Sequence, residues 1–110
     1  MAPRDTFPPA APLNLVVIGT PATPDAPAQI ELSWGISPET DLAGYHVYRS
    51  EEPGTPGQRL TKGLLLAPAF RDISVLQGRR YTYTVSAVDG AGNESPRSAP
   101  VTETVPPRPN

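Results

Sequence analysis

No cysteine occurs in the chain. Its absence removes disulfide bracing and thiolate metal ligands alike, and it leaves the redox compartment open. Histidine is nearly as scarce: His46 stands alone. A catalytic His needs an orienting acid and a nucleophile, or partner ligands around a metal. No apolar run approaches the ~20 residues of a membrane-spanning helix. The opening MAPRDTFPPAAP has no apolar h-region, so an export signal is expected outside this segment. Basic residues are not in surplus. Nine Lys and Arg stand against 11 Asp and Glu, for a net charge of −2, so nothing here would neutralise a run of phosphates, and nucleic acid is not an expected partner. A sustained helical period, a Gly-rich phosphate loop and a Gly-flanked nucleophile elbow are missing too. No cofactor is expected.

Proline, by contrast, is abundant, at 16 of 110 residues. Pro3, Pro8, Pro9 and Pro12 crowd one end, and Pro106, Pro107 and Pro109 the other. Such ends favour extended, polyproline-like linkers. Residues 1–11 and 106–110 are therefore expected as linker tails around one domain at 12–105, as in a module taken from a longer chain. A domain of this size buries a real core without a metal or disulfide.

Between the tails, Pro and Gly punctuate short segments with a period of two. LNLVVIG (13–19) reads as a strand with Leu13, Leu15 and Val17 on one face. AQIELSWG (28–35) puts Ile30, Leu32 and Trp34 on one face. GYHVYRS (44–50) does the same with Tyr45 and Val47, which turns His46 outward. RLTKG is expected as a short edge strand and PAFRDI (68–73) as a brief extended segment. RRYTYTVSAVD (79–89) aligns Tyr81, Tyr83, Val85 and Ala87. PRSAPVTETV (96–105) reads as the last strand. Pro is absent from 28–35, 44–50 and 79–89, as central strands require. About seven short strands separated by turn signals predict a sandwich or a small barrel.

These residues resemble a fibronectin type III domain over roughly 12–105. Trp34 matches the family's core Trp, and DLAGYHVYRS (41–50) its third strand. FRDISVLQGRRYTYTVSAVDGAGNESP (70–96) resembles its fifth strand, a turn, its sixth strand and the following loop. Val75 falls at the apolar position before the family's Tyr, Tyr81 at the tyrosine corner, and Val85 and Ala87 at the positions beyond. The resemblance implies an all-β, seven-stranded antiparallel β-sandwich, immunoglobulin-like in architecture. Its core would be Trp34, Tyr45, Val47, Val75, Tyr81, Tyr83, Val85 and Ala87. AVDGAGNES is especially similar to bacterial copies, which recur in secreted and surface-attached proteins and beside polysaccharide-degrading modules.

The candidate interaction residues are His46, Tyr48, Arg79, Arg80, Asp89, Asn93 and Glu94. Asp89, Asn93 and Glu94 would offer oxygens to calcium, but calcium wants about six to eight in a defined loop. The simpler expectation is a hairpin loop in which Gly90 and Gly92 supply positive φ and Asp and Asn cap the turn. The Arg-Gly-Asp tripeptide that integrin-binding relatives carry in this loop does not occur. Asn93-Glu94-Ser95 is a formal glycosylation sequon, relevant only in a host with that machinery. His46 is expected to be a solvated strand residue. The Ser and Thr residues are expected on outer faces and in turns, and the adjacent Glu51 and Glu52 in a solvated turn. Arg79-Arg80 would anchor an acidic patch or keep a strand start soluble. Tyr48, opposite Tyr45, is expected to be exposed, either as part of a recognition surface or packed beside a neighbouring strand.

The leading expectation is a monomeric, non-catalytic spacer that sets distance and orientation between neighbouring domains of a secreted, periplasmic or cell-surface protein. On that reading, scrambling 89–95 would be tolerated. The alternative is a protein- or polysaccharide-binding module using its end loops or the Tyr48 face. Against it stand the few aromatics, four Tyr and two Phe besides Trp34. An enzyme would need a cleft with convergent titratable groups, which the sequence does not assemble.

Overall fold

A computed structural model of the chain describes residues 8–51 and 57–107. Most of the expected N-terminal tail, the last residues of the C-terminal one and Glu52 lie outside the described residues. Seven strands follow in chain order: β1 Val16–Thr20, β2 Gln29–Ser33, β3 Leu42–Ser50, β4 Gln58–Arg59, β5 Ala69–Asp72, β6 Arg80–Asp89 and β7 Val101–Thr104. They form a three-stranded sheet, β1-β2-β5, and a four-stranded sheet, β4-β3-β6-β7. All pairings are antiparallel. This is the sandwich that the alternating pattern predicts.

The period of two places one face of each sheet inward. Ile30 and Leu32 of β2 meet Tyr45 and Val47 of β3 and Tyr81, Tyr83, Val85 and Ala87 of β6; Ala28, Trp34, Val75 and Val105 complete the buried cluster. Trp34 packs edge-to-face on Tyr45, with ring centroids 5.3 Å apart. The Leu76 N–H donates to the Tyr81 hydroxyl at 2.9 Å, which ties the β5–β6 crossing to the start of β6.

Departures from the sequence reading have local causes. The first strand starts at Val16 rather than residue 13, because Asn14 adopts φ 63° and breaks the extended run. Leu13 is consequently 71% exposed, not inward, while Leu15 and Val17 pack on the core. The last strand begins only at Val101. Pro96 and Pro100 supply no ladder donors, and Ser side chains substitute for strand carbonyls before it. Ser95 Oγ accepts the Ala87 N–H at 2.9 Å, and Ser98 Oγ the Val85 N–H at 3.0 Å. Both serines are buried. At the start of β3 the register shifts between Leu42 and Gly44. A Cβ on Gly44 would sit 2.7 Å from Leu64 Cβ and from the Leu65 carbonyl oxygen, so only glycine fits there.

The long β6 orients the molecule. At its Arg80 end the chain leaves through β7, with Gly78 N–H donating to the Val105 carbonyl at 2.8 Å. At its Asp89 end lie the β2–β3 and β6–β7 loops, joined by a 2.8 Å bond from Gly90 N–H to the Asp41 carbonyl. The segment leading into β1 arrives at that same end, where Gly35 N–H donates to the Leu13 carbonyl at 2.8 Å.

Candidate functional site

β3 and β6 are neighbours, so the side chains opposite the core share the outer face of the four-stranded sheet. In register, His46 lies across from Ser86 and Tyr48 from Thr84. The β6–β7 loop folds back over this face, with an isolated bridge between Val88 and Glu94. The Glu94 carboxylate thereby accepts hydrogen bonds from the Tyr48 and Ser86 hydroxyls, the latter at 2.5 Å. The Arg97 guanidinium lies 3.7 Å over the Tyr48 ring. His46 Nδ1 is 2.8 Å from Thr61 Oγ1, and its Nε2 is 3.5 Å from Arg59.

His46, Tyr48 and Glu94 thus come together, but not as exposed groups. His46 is 8% exposed and Tyr48 7%. The expectations of a solvated His46 and an exposed Tyr48 are corrected by the 89–98 segment and by Thr61, which cover them. The pattern of alternation names a residue's face; it does not say what lies on top of that face. Ser86, Ser95, Ser98 and Thr61 are buried as well, again unlike the expected outer-face hydroxyls. Ser86 is fully buried, so no substrate reaches it as a nucleophile.

The electrostatics follow the packing. Burial, and then the Arg59 charge, lower the His46 pKa, while Glu94 pulls it upward. Burial and the bond to Glu94 raise that of Tyr48. Burial opposes the Glu94 charge, but the Ser86 and Tyr48 hydroxyls overcome it and hold the carboxylate below its ordinary value.

The Asp89–Asn93 turn is self-contained. Asp89 Oδ1 accepts the N–H groups of Ala91 and Asn93 at 3.0 and 2.9 Å, and its Oδ2 the Asn93 amide at 3.0 Å. Those bonds hold Asp89 below its ordinary pKa although burial opposes them. Gly92 has φ 87°, as a turn glycine should. Gly90, expected to share that geometry, does not; it serves as the donor to Asp41. Asn93 of the sequon is engaged with Asp89, and Ser95 is buried. Among the described residues no three His, Cys, Asp or Glu group to hold a metal ion. Arg79 and Arg80 lie far from this face, at the opposite end of β6, with Arg79 3.2 Å from Glu51.

The most densely bonded polar group escaped the sequence reading. Asp72, 3% exposed, leaves the end of β5 and bridges the sheets. Its Oδ2 accepts the Tyr83 hydroxyl at 2.7 Å and Arg49 at 2.8 Å. Its Oδ1 accepts the Ser74 N–H and hydroxyl at 3.0 and 2.7 Å. Burial disfavours the Asp72 charge, yet the Tyr83, Ser74 and Arg49 donors lower its pKa overall. Burial and Asp72 push the Tyr83 hydroxyl upward. In sequence the only signal is an Asp at the end of a strand among inward-facing apolar residues.

Known proteins share this architecture. Over 95 residues the chain is 32% identical to an amylopullulanase of Thermoanaerobacterium saccharolyticum, a match that takes in 86% of the chain and 7% of that protein. A poly(3-hydroxybutyrate) depolymerase of Ralstonia pickettii is 34% identical over 95 residues, 86% of the chain and 16% of its own length. The chain therefore spans less than a fifth of these curated relatives. A fibronectin type III-like protein from Clostridium thermocellum superposes with a TM-score of 0.71 at 26% identity, covering 93% of this chain and 98% of that one. No protein-family model matches the chain.

Proposed function

We propose that this fibronectin type III-like domain is a non-catalytic spacer within a longer, exported polypeptide, holding neighbouring domains at a set distance and orientation. The observation that carries the reading is one of proportion. A segment of 95 residues that matches most of this chain is 7% of an amylopullulanase and 16% of a depolymerase. The domain proper runs over residues 12–105, with linkers on either side. The relatives' enzymatic names favour an extracellular setting beside catalytic domains.

The geometry supports a role without chemistry. His46, Tyr48, Ser86 and Glu94 satisfy one another and are covered, so the one cluster of titratable groups on a sheet face has no room for a substrate. The same burial weakens the alternative of a recognition surface centred on Tyr48, since interface anchors work by being free to enter a partner.

Retention on matrices bearing pullulan and poly(3-hydroxybutyrate) tests the choice. A spacer passes both unretarded. Retention on either, abolished by substitutions in exposed loops that leave the melting temperature unchanged, would replace the spacer reading with the binding one.

A further inference from the structure

We propose that the domain packs head-to-tail on a second copy of itself, the end where the chain enters β1 against the end where it leaves β7. This goes beyond the spacer role, and its failure would leave that role intact.

At the N-terminal end, Leu13 and Ile36 are 71% and 76% exposed. They share one apolar cleft of about 180 Å³ with Pro12, Asn14, Gly35 and Pro38. Its walls are tied down. Gly35 N–H donates to the Leu13 carbonyl, and Ser37 N–H to the buried Tyr45 hydroxyl at 2.9 Å. The acids of the β2–β3 loop are Glu39 and Asp41. Glu39 accepts the Ala10 N–H at 3.3 Å, and neither acid has an ion-pair partner among the described residues.

The C-terminal end presents the counterpart. Ile73 and Leu76 are 60% and 57% exposed on the β5–β6 loop. That loop is braced from within by Ser74 on Asp72, Leu76 on Tyr81 and Gly78 on Val105. The charges beside it are basic. Arg80 has no ion-pair partner among the described residues, and Arg79 shares Glu51 in an exposed pair. Exposed aliphatics scattered singly need no explanation. Here each end pairs two of them on a rigid frame with unpaired charge, and the sign of that charge is opposite at the two ends.

Because the two faces differ, the contact is heterologous and does not close on itself. Between copies joined in one chain, the link would supply an effective concentration in the millimolar range. Between separate copies the contact is weak.

Sedimentation equilibrium of the 110-residue protein, from about 10 µM to about 1 mM, should show a weight-average mass that rises with concentration. The rise should shrink with added salt. Leu13→Asp/Ile36→Asp disables one end and Ile73→Asp/Leu76→Asp the other. All four positions are exposed, and Trp34 fluorescence reports whether each variant is folded. Each alone should remain monomeric, yet their mixture should form a 1:1 dimer and nothing larger, since one intact end of each kind remains. Charge reversal provides a milder pair. Asp41→Lys and Arg80→Glu should each weaken association about tenfold, and mixing the two should restore it. A parent protein that stays monomeric throughout, or mixtures that fail to associate, would overturn the proposal.

Discussion

Trp34 supplies the largest single side chain of the core and meets Tyr45 at its edge. Trp34→Ala should cost about 3–5 kcal/mol, a large part of a usual total of about 5–15 kcal/mol, and urea denaturation followed by circular dichroism will read it. Asp72 is the polar counterpart. Asp72→Asn keeps the shape but leaves Arg49 without its charge partner. As Arg49 is 20% exposed, water offsets some of the loss, and about 2–3 kcal/mol is expected. Because the fold favours ionised Asp72, its contribution is complete above the ordinary carboxylate range and is lost as pH falls through the lower folded value. The stability gap between parent and Asp72→Asn should therefore narrow from about pH 7 to about pH 3. A constant gap would mean that Asp72 acts through packing alone. His46 works in the same direction at higher pH. Its folded pKa is lowered from 6.5, so its neutral ring contributes above that value and the contribution fades as pH falls below it. An NMR titration of the single imidazole should give a midpoint under 6.5.

At the scale of the element, the strands were legible because a half-buried strand writes its burial into every second residue. RYTYTVSAV could be read inward and outward without coordinates, and its inward set is buried. The segment after the loop was not legible. Residues 94–98 run beside β6 without ladder geometry, and their serines stand in for carbonyls. Ser95→Ala and Ser98→Ala should each cost about 1–3 kcal/mol by leaving a buried N–H unpaired; a change within a few tenths would show that water replaces the hydroxyl. The same segment alters what is expected of 89–95. Tolerance to scrambling was the expectation for an empty loop, but Asp89 caps the turn and Glu94 bonds Tyr48 and Ser86. Scrambling 89–95 should therefore lower the melting temperature even where no partner is involved. Gly44→Ala should destabilise by about 1–3 kcal/mol through contact with Leu64 and Leu65, read by the same thermal melts.

For the whole molecule, the core and the Asp72 bridge join both sheets into one unit, and unfolding should be cooperative. Fluorescence of the single Trp, which lies between the sheets, and circular dichroism of the strands should give coincident transitions. Separate transitions would mean that the sheets part before they melt. Composition, proline placement and period-two alternation determined by themselves that this is an all-β sandwich with a Trp- and Tyr-rich core, since those features act on neighbouring residues. Only the tertiary structure decided which polar groups meet. Tyr48 and Glu94 are 46 positions apart, and Arg49 and Asp72 23. No local rule couples residues at such separations; strand register and the path of a loop bring them within reach, and burial then obliges them to bond.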